Sequence, residues 1–414
     1  KLHASTDLIK HNLPKLRDTL SALYLEYNLD KKRYESDHFT ADECLQWLKQ
    51  DLKRMLDNLE AGKDPALATA GKWNGKACWI EGTKCLGRYD LIVPKDYDPS
   101  KSWPVIFSYQ DNPDREQIKA TNYFLVHCIQ KGYPKGLAQV EKKVFSFLKD
   151  VGLDYNIDYH RVYASSFSYG GHTALKVAWR YPYIFAAIVP VCNDLRDPTA
   201  LFVKYLQNTP TYLLHGSGDD FLKTGEQIHA WMKETNCPVK WDTYPGGHSP
   251  EVPFRKDISM VTNFCDQHVL DPYPKRLVKI IEHKRYARAF WVDAKLTEDK
   301  GNLAATYEVS VKEGNHIEVK ASAEIAELDM YLSPKLVDME KPVTVVFGEK
   351  TVFEGKAAEK ITAKLREGKD YYREQYPPLY ECMAKLRAEL GYPYAPVPVK
   401  KKAAPAADAA ENAK

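Results

Sequence analysis

No apolar run in this 414-residue sequence approaches the ~20 residues that a membrane-spanning helix needs. No membrane span is therefore expected. Excess charge of one sign is also missing: 59 Lys and Arg against 56 Asp and Glu leave a formal net charge of +3. Such a balance gives no electrostatic reason to expect nucleic acid as a partner. Cysteine is sparse and scattered, at positions 44, 78, 85, 128, 192, 237, 265 and 382. No Cys-x-x-Cys pair and no Cys/His cluster at zinc spacing occurs, so neither a metal nor another cofactor is expected. The cysteines read either as buried thiols or as disulfides, with Cys78/Cys85 and Cys237/Cys265 the pairs to check. The first residue is Lys1 rather than Met. From this a mature chain with its signal peptide removed, extracellular or periplasmic, is the expectation.

A hydrophobic fraction of 44% beside 28% charged residues allows a large core under a soluble surface. Residues 1–70 read as a helical segment. Leu8, Leu13, Leu16, Leu20, Leu23 and Tyr24 recur at three- and four-residue spacing. Thr40-Ala41-Asp42-Glu43 is a capping signal for a second helix through Leu45, Leu48, Leu52, Met55 and Leu59.

From residue 75 to 272 strands and helices alternate. Strand patterns fall at 89–94, 103–109, 124–129, 161–165, 186–191, 210–215 and 239–244. Helical patterns fall around Val140–Val151 and Gly170–Trp179. Near-continuous apolar strands separated by helices predict an α/β fold, with a mostly parallel sheet covered on both faces. Residues 276–357 differ. Alternation over Ala304–Val311, a Gly314-Asn315 turn, and strands at 316–321, 343–347 and 351–353 predict a small antiparallel, sandwich-like domain. Residues 358–390 read as C-terminal helices, and 391–414, rich in Pro, Ala and Lys, as a disordered tail.

The chemistry concentrates at three strand ends. Arg161–His172 reads as strand, tight turn and helix, with Ser166-Phe167-Ser168-Tyr169-Gly170 at the turn. This is Ser-x-Ser-x-Gly where a nucleophile elbow has Gly-x-Ser-x-Gly. The elbow strains the nucleophile's backbone so that its oxygen stands above the sheet. Small residues must flank it because strand and helix cross closely there. Gly170 meets that demand, and Ser166 is a mild departure. A Ser-rich turn could also be a plain helix cap.

Two further segments raise the signal. Tyr212-Leu213-Leu214-His215-Gly216-Ser217-Gly218-Asp219-Asp220 is a strand ending in His-Gly-x-x-Asp. It offers Asp219 as the acid, with Asp220 as the alternative. Tyr244-Pro245-Gly246-Gly247-His248 puts a histidine in a Gly-rich loop after the next strand. The order Ser168, Asp219, His248 is the nucleophile, acid and base order of the α/β-hydrolases. Tyr169 is expected to give one oxyanion-hole amide. Gln110, after the strand 103–109, is the candidate for the second, although a strand end with no catalytic part reads equally well. Tyr109 and Phe221 are candidate aromatic lining, or plain packing.

On these residues the chain resembles the esterase branch of the α/β-hydrolase superfamily. It is similar to secreted polyhydroxybutyrate-depolymerase-like and feruloyl-esterase-like enzymes and to the catalytic domain of prolyl oligopeptidases. Pro94-Lys95-Asp96-Tyr97-Asp98, the Trp103 strand, Asp158–Tyr163, the elbow and Gly247-His248 match that branch in order over residues 78–270. Departures are Ser166 and the absence of a His-Gly after the Trp103 strand. The resemblance implies a serine esterase acting on carboxylic esters without a cofactor. The short connection between Val191 and Pro210 leaves no room for a large lid. Bulky or polymer-attached esters are then the expected substrates. Two other readings stand beside it: a serine peptidase or acyl-aminoacyl hydrolase, and a non-catalytic carbohydrate-binding protein on a hydrolase scaffold.

Overall fold

The structure is a computed structural model that describes residues 41–61, 68, 70–81, 86–110, 122–129, 137–298, 304–369 and 376–389. The helix expected over Leu8–Tyr24 and the tail expected over 391–414 lie outside the described residues.

The first strands are β1 (Trp73–Trp79), β2 (Leu86–Ile92), β3 (Trp103–Gln110) and β4 (Phe124–Ile129). They continue as β5 (Ile157–Phe167), β6 (Ala187–Val191), β7 (Thr211–Gly216) and β8 (Val239–Tyr244). All eight form one sheet in the order β1-β2-β4-β3-β5-β6-β7-β8. β1, β2 and β4 pair antiparallel, and every pair from β4 to β8 is parallel. Every residue of β4, β6 and β7 is buried. Strands apolar at successive positions, not at alternate ones, must be covered on both faces. The α/β class expected from the apolar runs is the one observed.

The helices are α1 (Ala41–Glu60), α2 (Leu137–Asp154), α3 (Tyr169–Arg180), α4 (Leu222–Glu234), α5 (Ser259–Cys265) and α6 (Leu379–Glu389). α1 packs against β1, α2 against β4 and β1, α3 against β3, β5 and β6, and α4 against β7 and β8. Between β6 and β7 the only helical element is a 3-10 helix, Pro198–Tyr205, capped by the Asp197 carboxylate.

Among its described residues the second unit holds nine strands: β9 (Arg276–Ile281), β10 (Arg288–Ala289), β11 (Val292–Leu296), β12 (Ala305–Lys312), β13 (His316–Ala321), β14 (Ile325–Tyr331), β15 (Pro342–Phe347), β16 (Lys350–Lys356) and β17 (Lys360–Lys364). They form a five-stranded sheet, β16-β15-β13-β12-β9, and a four-stranded one, β10-β11-β14-β17. Two expectations need correction. The unit is not wholly antiparallel, because β13 and β15 pair parallel. The reason is that β14, between them in sequence, leaves for the other sheet. Residues 358–390 are not all helical either. Lys360-Ile361-Thr362-Ala363-Lys364 is a strand that buries Ile361 and Ala363, and among the described residues of this stretch helix is found at Leu379–Glu389. Ala and Lys favour helix, but the period of two decides here.

The two units share one core and a buried ionic seam. Glu282, just past β9, accepts from Trp179 Nε1 (2.8 Å) and Arg180 Nε (2.6 Å) at the end of α3. Arg180 also pairs with Glu141 of α2. Lys279 of β9 donates to the carbonyls of Trp179 and Arg180.

Candidate active site

Ser168 sits between β5 and α3 with φ 53° and ψ −121°, a left-handed backbone that L side chains avoid. Its amide donates to Val191 O (2.8 Å) and its carbonyl accepts from His172 N (3.1 Å), so both neighbouring elements hold the turn. The close crossing is measurable at Gly170. A Cβ there would stand 2.6 Å from Tyr109 O and 2.9 Å from Ser166 Cβ. Ser166, in place of the usual glycine, is accommodated because its Oγ accepts from Tyr109 N at 2.9 Å. That bond ties the elbow to the end of β3. Strain of this kind persists only where the surroundings over-determine it, and it concentrates at functional sites.

His248 Nε2 lies 2.9 Å from Ser168 Oγ, and His248 Nδ1 lies 2.9 Å from Asp219 Oδ1. The Asp219 side chain is fully buried, whereas the imidazole of His248 is 28% exposed. The site is thus closed behind the acid and open at the nucleophile. Asp219 Oδ1 also accepts from Phe221 N (2.9 Å), and Oδ2 faces His215 Nδ1 at 3.1 Å. Burial works against ionisation of Asp219. Hydrogen bonds from Cys192, the Phe221 amide and His248 outweigh it and hold the carboxyl below its ordinary range. Asp220, the alternative acid, is exposed.

The loops carrying acid and base are clamped together. Ser217 N donates to Tyr244 O and Gly218 N to Gly246 O, both at 2.8 Å. Gly246 has φ 137°, a backbone that L residues rarely adopt. The rings of Phe167 and Phe221 lie 4.6 and 5.1 Å from that of His248. Arg196 stacks on Phe221 at 4.7 Å. Phe221 therefore buttresses His248 as well as bordering the site.

Tyr169 is the first residue of α3, directly after Ser168, where helix amides point out of the helix. Gln110 ends β3; its side chain and the loop beyond it lie outside the described residues. Tyr109 is 4% exposed and packs on Phe107 at 5.1 Å, so it is a core residue and not an exposed lining. Cys237 and Cys265 are free thiols, which corrects that disulfide expectation. The Cys78/Cys85 pair cannot be placed, since Cys85 lies outside the described residues.

Sequence reasoning missed Cys192 and Asn193, and it read His215 only as part of a motif. Cys192 follows β6 in a left-handed conformation (φ 48°) and hydrogen bonds to Asp219. Asn193 Nδ2 lies 3.1 Å from His215 Nε2. Cys192, His215 and Asp219 bring their donor atoms within 4.8 Å of one another, close enough to bridge a small cation. Ligation needs a thiolate and an unprotonated Nδ1. Burial pushes the Cys192 thiol up to about 12, and Nδ1 faces a carboxylate that can only accept. The donor set suits a hydrogen-bonded cluster better than a metal centre.

No family model matches this sequence, and no curated protein is significantly similar to it. Solved structures are similar at low identity. A dipeptidyl peptidase 4 from Porphyromonas gingivalis is 16% identical, with 48% of this chain and 36% of that chain covered and a TM-score of 0.40. A feruloyl esterase module from Clostridium thermocellum is 12% identical over 47% of this chain and 88% of that one, at 0.40. An acylaminoacyl peptidase from Pyrococcus horikoshii is 13% identical over 48% and 42%, at 0.39. The chain thus spans about a third of the length of the dipeptidyl peptidase. Likenesses this distant carry no argument about chemistry. The sheet order and the strained turn after β5 belong to this chain itself, and the unit from β1 to α5 is a mostly parallel α/β sheet with a strand–turn–helix at Ser168.

Proposed function

We propose that this protein is a serine hydrolase that cleaves carboxylic esters through an acyl-enzyme on Ser168. The carrying observation is the unbroken chain from Ser168 Oγ through His248 to Asp219, at 2.9 Å per step, on a strained elbow. His248 Nε2 takes the Ser168 proton as Oγ bonds to the ester carbonyl carbon. Asp219 orients the ring and balances its charge. The Tyr169 amide, with a donor at Gln110, stabilises the oxyanion. Collapse breaks the carbon–alkoxy bond, and the proton on Nε2 leaves with the alcohol. Water, deprotonated by His248, then releases the acid and frees Ser168.

The exposed face of His248 and the short 3-10 connection between β6 and β7 support an uncovered site. Such a site accepts bulky or polymer-attached esters. No described helix is long and apolar enough to cross a membrane. The test is labelling by a fluorophosphonate, followed by matched ester and peptide substrates. Labelling confined to Ser168, with ester turnover that falls by about 10⁴-fold or more in Ser168→Ala, is the expected result. A folded Ser168→Ala variant keeping a tenth of the activity refutes the assignment. Faster cleavage of the peptide than of its ester refutes the substrate class.

A further inference from the structure

A fully buried carboxylate needs a donor at each oxygen, because an unmet charge in the interior is costly. His248 Nδ1 and the Phe221 amide serve Oδ1 of Asp219. Oδ2 faces His215 Nδ1, at 3.1 Å between two side chains with no exposure. The protonation of His215 follows from its neighbours. The carboxylate only accepts, so Nδ1 carries the hydrogen. Burial drives His215 below its ordinary range, so the ring is neutral and Nε2 is an acceptor. Asn193 must then present its amide nitrogen, which is the group found there at 3.1 Å.

From this geometry we infer that His215 is a positioning residue of the Ser168 site: fixed by Asn193 as the neutral Nδ1–H form, it donates to the far oxygen of Asp219 and sets how strongly that carboxylate holds the His248 imidazolium. The inference rests on the reading of Ser168, His248 and Asp219 as a triad. The surroundings keep His215 in place. Trp241 of β8 stacks on it at 5.2 Å and 28°. A Cβ on Gly225 of α4 would stand 2.5 Å from Nε2, so the helix backbone closes the remaining side. The titratable groups facing it are Asp219, Cys192 and His248, with His229 across the Trp241 ring. Among these only Asp219 favours a charged His215; His248 and burial oppose it. A neutral donor draws on the carboxylate without cancelling its charge. Removing that donor leaves more negative charge for His248, which makes the imidazolium harder to discharge, and it frees Asp219 to turn.

The experiment compares wild type with His215→Phe, His215→Gln and Asn193→Ala. Phe keeps the ring packing on Trp241 and lacks the donor. Gln restores an N–H. Asn193→Ala leaves His215 present but releases its tautomer. Nitrogen-15 histidine NMR follows the His248 titration directly, and fluorophosphonate labelling of Ser168 follows reactivity against pH. In His215→Phe the His248 midpoint and the acid limb of labelling should both rise by about half a unit or more, and labelling at pH 8 should slow about tenfold. Gln should restore most of both. Asn193→Ala should move the midpoint in the same direction by less, and it decides the matter if the Phe variant does not fold. Loss of stability with an unmoved His248 titration, in Phe or in Ala, overturns the inference and leaves His215 a packing residue. A titration that moves as stated in a protein that neither labels nor turns over substrate upholds the role of His215 and refutes the hydrolase reading instead.

Discussion

Gly216→Ala is the sharpest test of how the site is assembled. Gly216 ends β7, pairs with Tyr244 of β8, and lies three residues before Asp219. A Cβ on it would meet Gly247 O at 2.2 Å and Gly246 O at 2.6 Å. Contacts under 3.0 Å are essentially never seen for a Cβ, so both carbonyls must retreat by roughly 1 Å. Those carbonyls belong to the two residues before His248. A retreat of that size carries the imidazole away from partners that now stand 2.9 Å distant on either side. A misplacement of about 1 Å costs on the order of 10²-fold in rate, and such overpacking typically destabilises by about 1–3 kcal/mol. Gly218→Ala is the control, because its Cβ would be 3.5 Å from Gly246 O, an ordinary contact. The assay is kcat/KM on one ester, the labelling rate of Ser168, and a thermal melt of each variant. Gly216→Ala should lose roughly a hundredfold in both rates while Gly218→Ala stays within a few-fold. A folded Gly216→Ala protein with wild-type rates refutes the idea that the β7–β8 crossing holds His248 in register.

Asp219→Asn should damage ester hydrolysis far more than Asp220→Asn, because Asp219 alone reaches His248. With the carboxylate gone the imidazolium is less favoured, so the acid limb that remains should lie at lower pH; kinetics of the two variants on one substrate check both points. Ser166→Gly restores the usual elbow residue but deprives Tyr109 N of its acceptor. It should cost about 1–3 kcal/mol in a denaturant melt and lower kcat more than it changes KM, whereas a neutral outcome removes the Ser166 bond from the account of the elbow.

What could be read from the sequence follows from which forces are local. β3, β4, β6 and β7 were legible because strands buried on both faces are apolar at nearly every position. The candidates Ser168 and Asp219 follow the largely buried strands β5 and β7, and His248 follows the half-exposed edge strand β8; the parallel order brings those ends together. β1 was not legible: Trp73-Asn74-Gly75-Lys76 is polar in composition, and Lys76 is buried through an ion pair with Asp154. β17 was hidden by its helix-forming residues. Tyr109 was left between lining and packing because both faces of β3 are core: Ile106 and Ser108 on one, and Val105, Phe107 and Tyr109 on the other, are all buried, so parity does not decide. The contact between Asn193 and His215 joins the ends of different strands. Each residue alone looks like a loop polar group, so no local pattern announces it.

The β-rich unit had no role that its sequence could supply, and the seam with α3 suggests one. α3 begins at the Ser168 elbow and ends at Arg180, so whatever fixes its last turn also fixes the direction in which its first amides point. The second unit supplies two polar partners of that last turn, with Lys279 on the carbonyls of Trp179 and Arg180 and Glu282 on the Trp179 and Arg180 side chains. Glu282→Gln tests the arrangement. It leaves Arg180 largely buried with Glu141 as its remaining carboxylate partner, and breaking such a pair costs about 3–5 kcal/mol. The pH dependence gives an independent reading. Burial opposes ionisation of Glu282, but Arg180 and Trp179 hold it below its ordinary range. Its contribution is therefore fully present above the unfolded value near ~4.3 and is lost as pH falls through the lower folded one. Urea melts at pH 7 should show the loss in Glu282→Gln, and the gap from wild type should narrow as pH drops below about 4. A variant within about 1 kcal/mol of wild type at pH 7, or a gap constant with pH, would mean that the seam does not anchor the nucleophile helix.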